Sequence, residues 1–481
     1  MEQETKKLTK RRAFSFSRRV LAFTLAAAGF FAVLLLLPAE VEWEARTAIA
    51  VLLFGLLLWA LEPIPLGMTS ILTLVLLLLM KAVSIDVALS GFASPAVFLI
   101  VAGMMIAKAV NETPLMDRLT YSLLAKWGRS PKGIFIGLFL LMQVQAFFIP
   151  ATAVRTQLVI PVVLSVITAV GAKKGSNFSK LMLIGTAFAG NISGTAILTA
   201  AIGNILTIEI LQLYLGRTLS YFDWFLYAFP IWLLLMAAIP FIVWKTYPPE
   251  DYSFASLQEE MKKKKSAIGP LTGKEIKCIV ILTGTVLLWM TQSLHGFHPT
   301  VPALLAVVLF AMPKIGFVSW KKVINVNFDM VLLIGATLSL GMVLIETGAI
   351  DLLASMLKTD AVLKAFGNPW LAILVVVIVS HLYHLGVTNV STAVVTLLPV
   401  LIGLANLSGM DPMVIVFASS VSTLFGFILI VETMPNVIVH GTGLVAQRDF
   451  YIPGFWATVA SIVIVAAVAF TWWRWLGFWP M

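Results

Sequence analysis

Apolar runs of spanning length recur along the chain from Val20 to Trp475, separated by short polar links. A helix needs roughly 20 apolar residues to cross the hydrocarbon of a bilayer. The runs predict transmembrane helices at about 20–38, 47–62, 66–80, 94–111, 222–245, 277–294, 299–313, 329–346 and 453–476. Two more stretches, about 180–211 and 412–440, are long enough to span but are interrupted. The first breaks at Gly190-Asn191-Ile192-Ser193-Gly194 and again near Gly203-Asn204; the second breaks at about 422–436. That makes eleven spans in an all-α polytopic membrane protein.

Two apolar stretches do not read as simple spans. Residues 133–171 hold Pro150, Arg155, Gln157 and Pro161 in their middle, with Lys132 before and Lys173 and Lys174 after. Basic residues favour the cytoplasmic side, so both ends lie inside and the segment is a re-entrant hairpin with its tip near 150–156. A second hairpin is expected at about 369–405. Irregular backbone at that depth is tolerated only within protein or beside water. Residues 112–132, with Arg118, Lys126 and Arg129, read as an amphipathic surface segment. The organisation predicted is a cytoplasmic N-terminus and first helix (1–45), a first repeat (46–245), a polar cytoplasmic linker (246–276) and a second repeat (277–481).

The repeat is visible in residue pairs. Glu112-Thr113 and Asp117 match Glu346-Thr347 and Asp351, and Pro65 matches Pro299, all 234 positions on. Pro161 and Pro399 pair within the hairpins, and Asn204 and Asn436 within the broken helices. An odd number of crossings between equivalent points inverts the second copy. Inverted repeats with interrupted helices point to a transporter whose site lies at the midplane.

Composition narrows the classes. Of the 481 residues, 60% are hydrophobic and 12% charged, against roughly 25% charged in soluble domains. The formal charge of +10 sits in short loops, most of it on the side called cytoplasmic. That is the positive-inside pattern of an inner-membrane protein, not a nucleic-acid footprint. The basic stretch before Val20 resembles the start of a signal peptide, but without an A-x-A site it reads as a retained first helix with its N-terminus inside. Cys278 is the single cysteine, the five histidines are scattered, and there is no HExxH. Neither a metal motif nor a nucleophile–base pair supports an enzyme.

Several segments resemble the divalent anion:sodium symporter family. Leu61-Glu62-Pro63-Ile64-Pro65-Leu66-Gly67 is similar to its T-E-A-I-P-L entry to helix 3. Phe92-Ala93-Ser94-Pro95-Ala96-Val97-Phe98-Leu99 is similar to Y-A-S-P-V-I-F-L, and Glu432-Thr433-Met434-Pro435-Asn436 to A-T-P-P-N, continued by His440-Gly441-Thr442-Gly443. The likeness covers about residues 45–475. It implies a homodimer, a fixed scaffold with an elevator-like mobile domain, small dianionic substrates and sodium as coupling ion. It also implies a Ser-Asn-Thr motif at each hairpin tip. The chain departs there: the corresponding residues are Ala151-Thr152-Ala153 and Asn389-Val390-Ser391. The first interrupted stretch, about 180–211, also has Ala200-Ala201-Ile202-Gly203 where the family has paired prolines.

The candidate site follows. Arg155, a charge at bilayer depth, is expected to bind a carboxylate or sulfonate through paired hydrogen bonds, or else to lock the tip through a salt bridge. Thr152, Thr156, Asn389, Ser391, Thr392 and Thr433 complete the substrate set. Ala151, Asn191, Ser193, Asn204, Thr388, Glu432 and Asn436 form the ion-coupling set, with Na+ as the candidate ion and no other cofactor. Glu432 reads as a proton carrier, a partner for Arg155, or a segment-end carboxylate. Asn204 and Asn436 read mainly as groups that satisfy broken backbone. His381 and His384 share a helix face and read as packing or surface groups ahead of a proton relay. Asp329 reads as a helix N-cap, and Trp472, Trp473 and Trp475 as an interfacial belt. The expected activity is carriage of small di- or tricarboxylate-like anions, coupled to Na+ or H+ or run as exchange. The alternatives are a sulfate-like oxyanion carrier or a cation/proton antiporter of the same superfamily.

Overall fold

The computed structural model describes residues 2–149, 151–387 and 389–478. Among them there are helices and links but no strand. The first half runs α1 (Glu2–Leu36), α2 (Trp43–Leu61), α3 (Leu66–Leu79), α4 (Ile85–Leu89), α5 (Pro95–Asn111), α6 (Leu115–Trp127), α7 (Pro131–Gln145), α8 (Thr152–Ala169), α9 (Asn177–Ser193), α10 (Ile202–Leu215) and α11 (Tyr221–Thr246). Then come α12 (Ala255–Ile268) and the second half: α13 (Gly273–Met290), α14 (Gln292–His295), α15 (Thr300–Ala311), α16 (Trp320–Val323), α17 (Phe328–Glu346), α18 (Ala349–Met356), α19 (Asp360–Phe366), α20 (Pro369–Gly386), α21 (Val390–Leu407), α22 (Pro412–Ser422), α23 (Met434–Gly441) and α24 (Gln447–Val468). The protein is an all-helical polytopic membrane protein.

Eight of the described helices are long and apolar enough to cross a bilayer, or nine if the bent pair Ile85–Ala93 and Pro95–Asn111 is one span. The eleven expected spans differ from this for physical reasons. The 14 residues of α3 and the 12 of α15 rise only about 21 and 18 Å. The first turn of α13 carries Lys274, Glu275 and Lys277, and each interrupted helix is two short halves. Conversely α8, α20 and α21, expected as hairpin arms, each reach spanning length.

Sequence punctuation sets the helix ends. Pro131, Pro369 and Pro412 each open a helix at its first position, where the missing N–H costs nothing. Ser130, Asn368 and Asp411 cap those same ends. The cap of α17 is Asn327, not Asp329: the Asn327 side chain accepts the Asp329 N–H. The first interrupted helix has one break, residues 194–201; Gly203 and Asn204, expected at a second break, lie inside α10. The linker is not a loop alone. Its helix α12 lies on α6, with Gln258 donating to the Ala125 carbonyl at 3.0 Å.

Two apolar cores form. The smaller joins Leu58 and Trp59 of α2 and Leu77 of α3 to Leu333, Ala336 and Leu340 of α17. The larger holds the remaining long helices, with α9 and α22 at its centre. Every residue of α22 is buried, as is every residue of α9 from Leu181 to Ser193. Helices apolar all round belong inside, and these two each end at a break.

Candidate functional site

The two breaks are built alike. The Asn204 amide donates to the carbonyls of Gly194 (2.7 Å) and Ile197 (3.1 Å). The Asn436 amide donates to those of Gly426 (3.0 Å) and Leu429 (3.0 Å). The acceptors lie 10 and 7 residues back in both cases. Unwinding a buried helix orphans carbonyls, and each asparagine satisfies two of them from the start of the next helix. Ala201 and Thr433, which precede α10 and α23, share one extended conformation, with φ −140° for both.

Arg155 lies in the first turn of α8 and is fully buried. Its Nε donates to Ser193 Oγ at 3.1 Å and its Nη2 to the Ala200 carbonyl at 3.0 Å, while Nη1 donates to the Ile149 carbonyl. It therefore ties the first tip to the end of α9 and to the first break. All three acceptors are neutral. Among the described residues no salt bridge forms to it, and no ion pair joins it to Glu432. Glu432 instead accepts the backbone N–H groups of Ile428 and Leu429, both at 3.0 Å, and stabilises the second break.

Four helix N-termini converge near these breaks: α8, α10, α21 and α23. A side chain on Gly190 of α9 would sit 2.7 Å from Thr156 Oγ1 and 3.0 Å from Pro435, so only a glycine lets α8 and α23 meet there. Likewise a Cβ on Gly203 of α10 would come 2.8 Å from Val390 of α21. Asn191 joins the breaks to each other, donating to the Gly426 carbonyl at 2.6 Å and to Asn436 Oδ1 at 3.2 Å. Helix N-termini carry positive partial charge and favour anions.

The other expected residues divide. Thr156 bonds back to the Thr152 carbonyl at 3.0 Å. Asn389 is spent capping α21, accepting from Ser391 N and Thr392 N. Thr433 caps α23, at 3.5 Å from Asn436 N. Ser391 is buried, Thr152 half-buried, and Ala151 offers no side chain to cap α8. Thr388 and Pro150 lie outside the described residues. Several polar atoms are buried without a partner: Thr392 Oγ1, Asn191 Oδ1, Asn204 Oδ1 and Ser422 Oγ.

Sequence reasoning missed three positioning groups. Gln447 clamps the second break from both sides, accepting from Ile430 N and donating to the Ile428 carbonyl, each at 2.9 Å. Trp224 donates to the Thr195 carbonyl in the first break at 3.0 Å. Glu209, on α10, accepts from Ser94 at the N-terminus of α5 at 2.7 Å. Of these only Glu209 had a signal, a carboxylate inside an apolar run.

Residues 18–479 match the family described as the sodium:sulfate symporter transmembrane region. The chain belongs to this family, the divalent anion:sodium symporters. It is 29% identical over 403 residues to a membrane protein of Cupriavidus necator, covering 82% of this chain and 77% of that one. It is 23% identical to the sodium-dependent dicarboxylate transporter SdcS of Staphylococcus saprophyticus, over 91% and 88% of the two chains. It is 21% identical to the putative malate transporter YflS of Bacillus subtilis, over 92% and 93%. Within the symporter family, membership makes the chain a membrane transport protein of an anion-carrying group.

Proposed function

We propose that the chain carries small organic dianions of the dicarboxylate type across the cytoplasmic membrane by alternating access. The observation that carries this reading is Arg155. A buried guanidinium held only by neutral oxygens keeps its full charge, and an uncompensated buried charge costs several kcal/mol. An anion arriving at the tip offsets that cost. Three of the five guanidinium N–H groups are engaged, which leaves two for a carboxylate. The uncapped N-termini of α8 and α10 add N–H donors of the same sign.

The two halves form inverted repeats, with α7–α8 and α20–α21 as the hairpins, in a cytoplasmic-membrane homodimer whose N-terminus is inside. The matching geometry of Asn204 and Asn436 supports the repeat. At the first tip the oxygens that would suit a sodium ion, the Ile149 and Ala200 carbonyls and Ser193 Oγ, already accept from Arg155. A tethered cation cannot leave with the substrate and so cannot store an ion gradient. Transport then uses fewer sodium ions than a carrier with two ion sites, or runs as exchange or with protons. Relatives named sodium-dependent dicarboxylate transporters support the substrate class.

The test is uptake of labelled malate, 2-oxoglutarate and sulfate into proteoliposomes, with and without a sodium gradient and with and without internal anion. Dicarboxylate uptake that needs internal anion or a pH gradient is expected. A steep, multi-ion sodium dependence refutes the coupling argument, and sulfate uptake without dicarboxylate uptake refutes the substrate class.

A further inference from the structure

His381 and His384 stand one turn apart on α20, and the structure treats them differently. His381 is satisfied at both ring nitrogens: Nδ1 lies 2.8 Å from the Val377 carbonyl and Nε2 2.8 Å from Ser461 Oγ. His384, 1% exposed, has Nδ1 2.9 Å from the Val387 carbonyl at the second tip, but its Nε2 has no partner. A carbonyl oxygen only accepts, so the ring proton sits on Nδ1. The neutral ring then holds a bare lone pair on Nε2. A buried acceptor left bare costs about 1–3 kcal/mol, and this one is a nitrogen that can bind a proton.

The surroundings decide what that proton needs. The elements packed on α20 are α19, α21, α22, α24 and the turn Ile430–Glu432. Neither α21 nor α22 holds a titratable group. Glu432 is committed to the Ile428 and Leu429 N–H groups. On α24, Asp449 is paired with Lys180 at 2.9 Å, and Arg448 and Tyr451 complete its charged and titratable groups; Arg474, beyond that helix, lies 5.2 Å over the Trp370 ring. On α19 there are Asp360 and Lys364, next to the opposite end of α20. On α20 itself, His381 is satisfied and Tyr383 shares a hydrogen bond with Thr396. Among the described residues, no carboxylate on these elements is paired with His384.

We propose that His384 Nε2 is the proton-binding site of transport, taking one proton from the side that admits the anion and releasing it with the anion on the other. This rests on the anion-carrier reading above and names its coupling ion. With no internal counter-charge, the cationic ring is favoured only when an anion occupies the site. Anion and proton then raise each other's affinity by the same factor. Arg155 at the first tip and protonated His384 at the second together match the charge of a dianion.

Calorimetry of malate and sulfate binding to the purified full chain tests this. Buffers of differing ionisation enthalpy, over roughly pH 5.5 to 8, report protons taken up per anion bound. Wild type is expected to take up about one proton per anion near neutral pH. His384→Gln should take up essentially none, and His381→Gln should keep the wild-type count. Wild-type binding without proton uptake overturns the proposal and leaves the anion site standing. That measurement does not depend on any variant folding. Unchanged uptake in His384→Gln also overturns it, whereas no binding of either anion to wild type removes the anion-carrier reading itself.

Discussion

Replacing Arg155 with methionine separates its two jobs. Methionine keeps an unbranched, apolar filling of similar reach but removes the charge and three hydrogen bonds. The Ile149 and Ala200 carbonyls lose their donor, at about 1–3 kcal/mol each. Against that, an unpaired buried cation disappears, which returns several kcal/mol. The terms oppose, so the ligand-free protein should change by no more than about 2 kcal/mol in either direction. Anion binding has no such offset. A charge-assisted hydrogen bond contributes about 1.5–3 kcal/mol, and one unit charge acting on another at contact distance about 4 kcal/mol at an effective dielectric of 20. A loss of about 3–4 kcal/mol is roughly 100- to 1,000-fold in affinity. The chain supplies its own reporter: Cys278 is the single cysteine and is fully buried, so a thiol-reactive dye reads unfolding. Wild type at a hundredfold excess of anion over Kd should gain about 2.7 kcal/mol. At the same anion concentration Arg155→Met should gain no more than about 0.4 kcal/mol, and Arg155→Lys only part of the wild-type gain, because a point charge replaces a two-pronged donor. An anion-induced shift of wild-type size in Arg155→Met would show that the guanidinium is a structural clamp alone.

Asn204→Ala strands the Gly194 carbonyl, while the Ile197 carbonyl keeps the Ala200 N–H at 2.9 Å, so it should cost roughly 1–3 kcal/mol in the same dye assay. Asn436→Ala should cost less, since the Gly426 carbonyl keeps Asn191 at 2.6 Å and the Leu429 carbonyl keeps the Glu432 N–H at 3.3 Å; a clearly larger effect at Asn436 contradicts this account. Lys174 is exposed in the loop after α8, and Lys174→Cys should react with an impermeant thiol reagent from the cytoplasmic side. Reaction only from outside breaks the first hairpin. Glu250, in the loop after α11, accepts the N–H groups of Asn177 and Phe178 at 2.7 and 2.9 Å. Partial burial raises its pKa, but these bonds and that of its own N–H outweigh it and hold the carboxyl below its ordinary value of 4.5. Its contribution is therefore complete above that value and fades as pH falls through the lowered pKa. Glu250→Gln should lower thermal stability at neutral pH and narrow its gap to wild type under acid; a gap that widens under acid reverses the sign argued here.

The membrane class, the helix order and the two interruptions were legible because bilayer depth forces apolar runs, and only glycine, proline and short polar residues break them. Asn204 and Asn436 could be read as backbone partners for the same reason: an amide at the start of a resumed helix has orphan carbonyls within reach. Arg155 was visible as a lone charge. Its partners were not, because the Ile149 and Ala200 carbonyls are main-chain groups that no residue type advertises. The split between His381 and His384 was equally hidden. The Nε2 of one finds Ser461, 80 residues on, that of the other finds no partner, and neither fact leaves a local pattern. Asn389 shows the opposite limit: a residue suited to line a site is spent on capping its own helix.

The two halves solve one structural problem with opposite charges. Unwound backbone exposes both carbonyls and N–H groups, and a buried ion can satisfy either kind. In the first half, Arg155 donates to the Ile149 and Ala200 carbonyls. In the second, Glu432, at the position equivalent to Ala200, accepts the Ile428 and Leu429 N–H groups. The helix ends follow the same division: Ala151 and Ala201 leave α8 and α10 uncapped, while Asn389 and Thr433 cap α21 and α23. Positive potential is thus concentrated on the first half, and the second half has spent its N–H groups and carries a carboxylate. On the transport reading, one carboxylate of a dianion belongs at the first tip beside Arg155. Its other end meets the half that lacks a resident cation, so a mobile positive charge is needed there and only there. The bare nitrogen of His384 lies on that half.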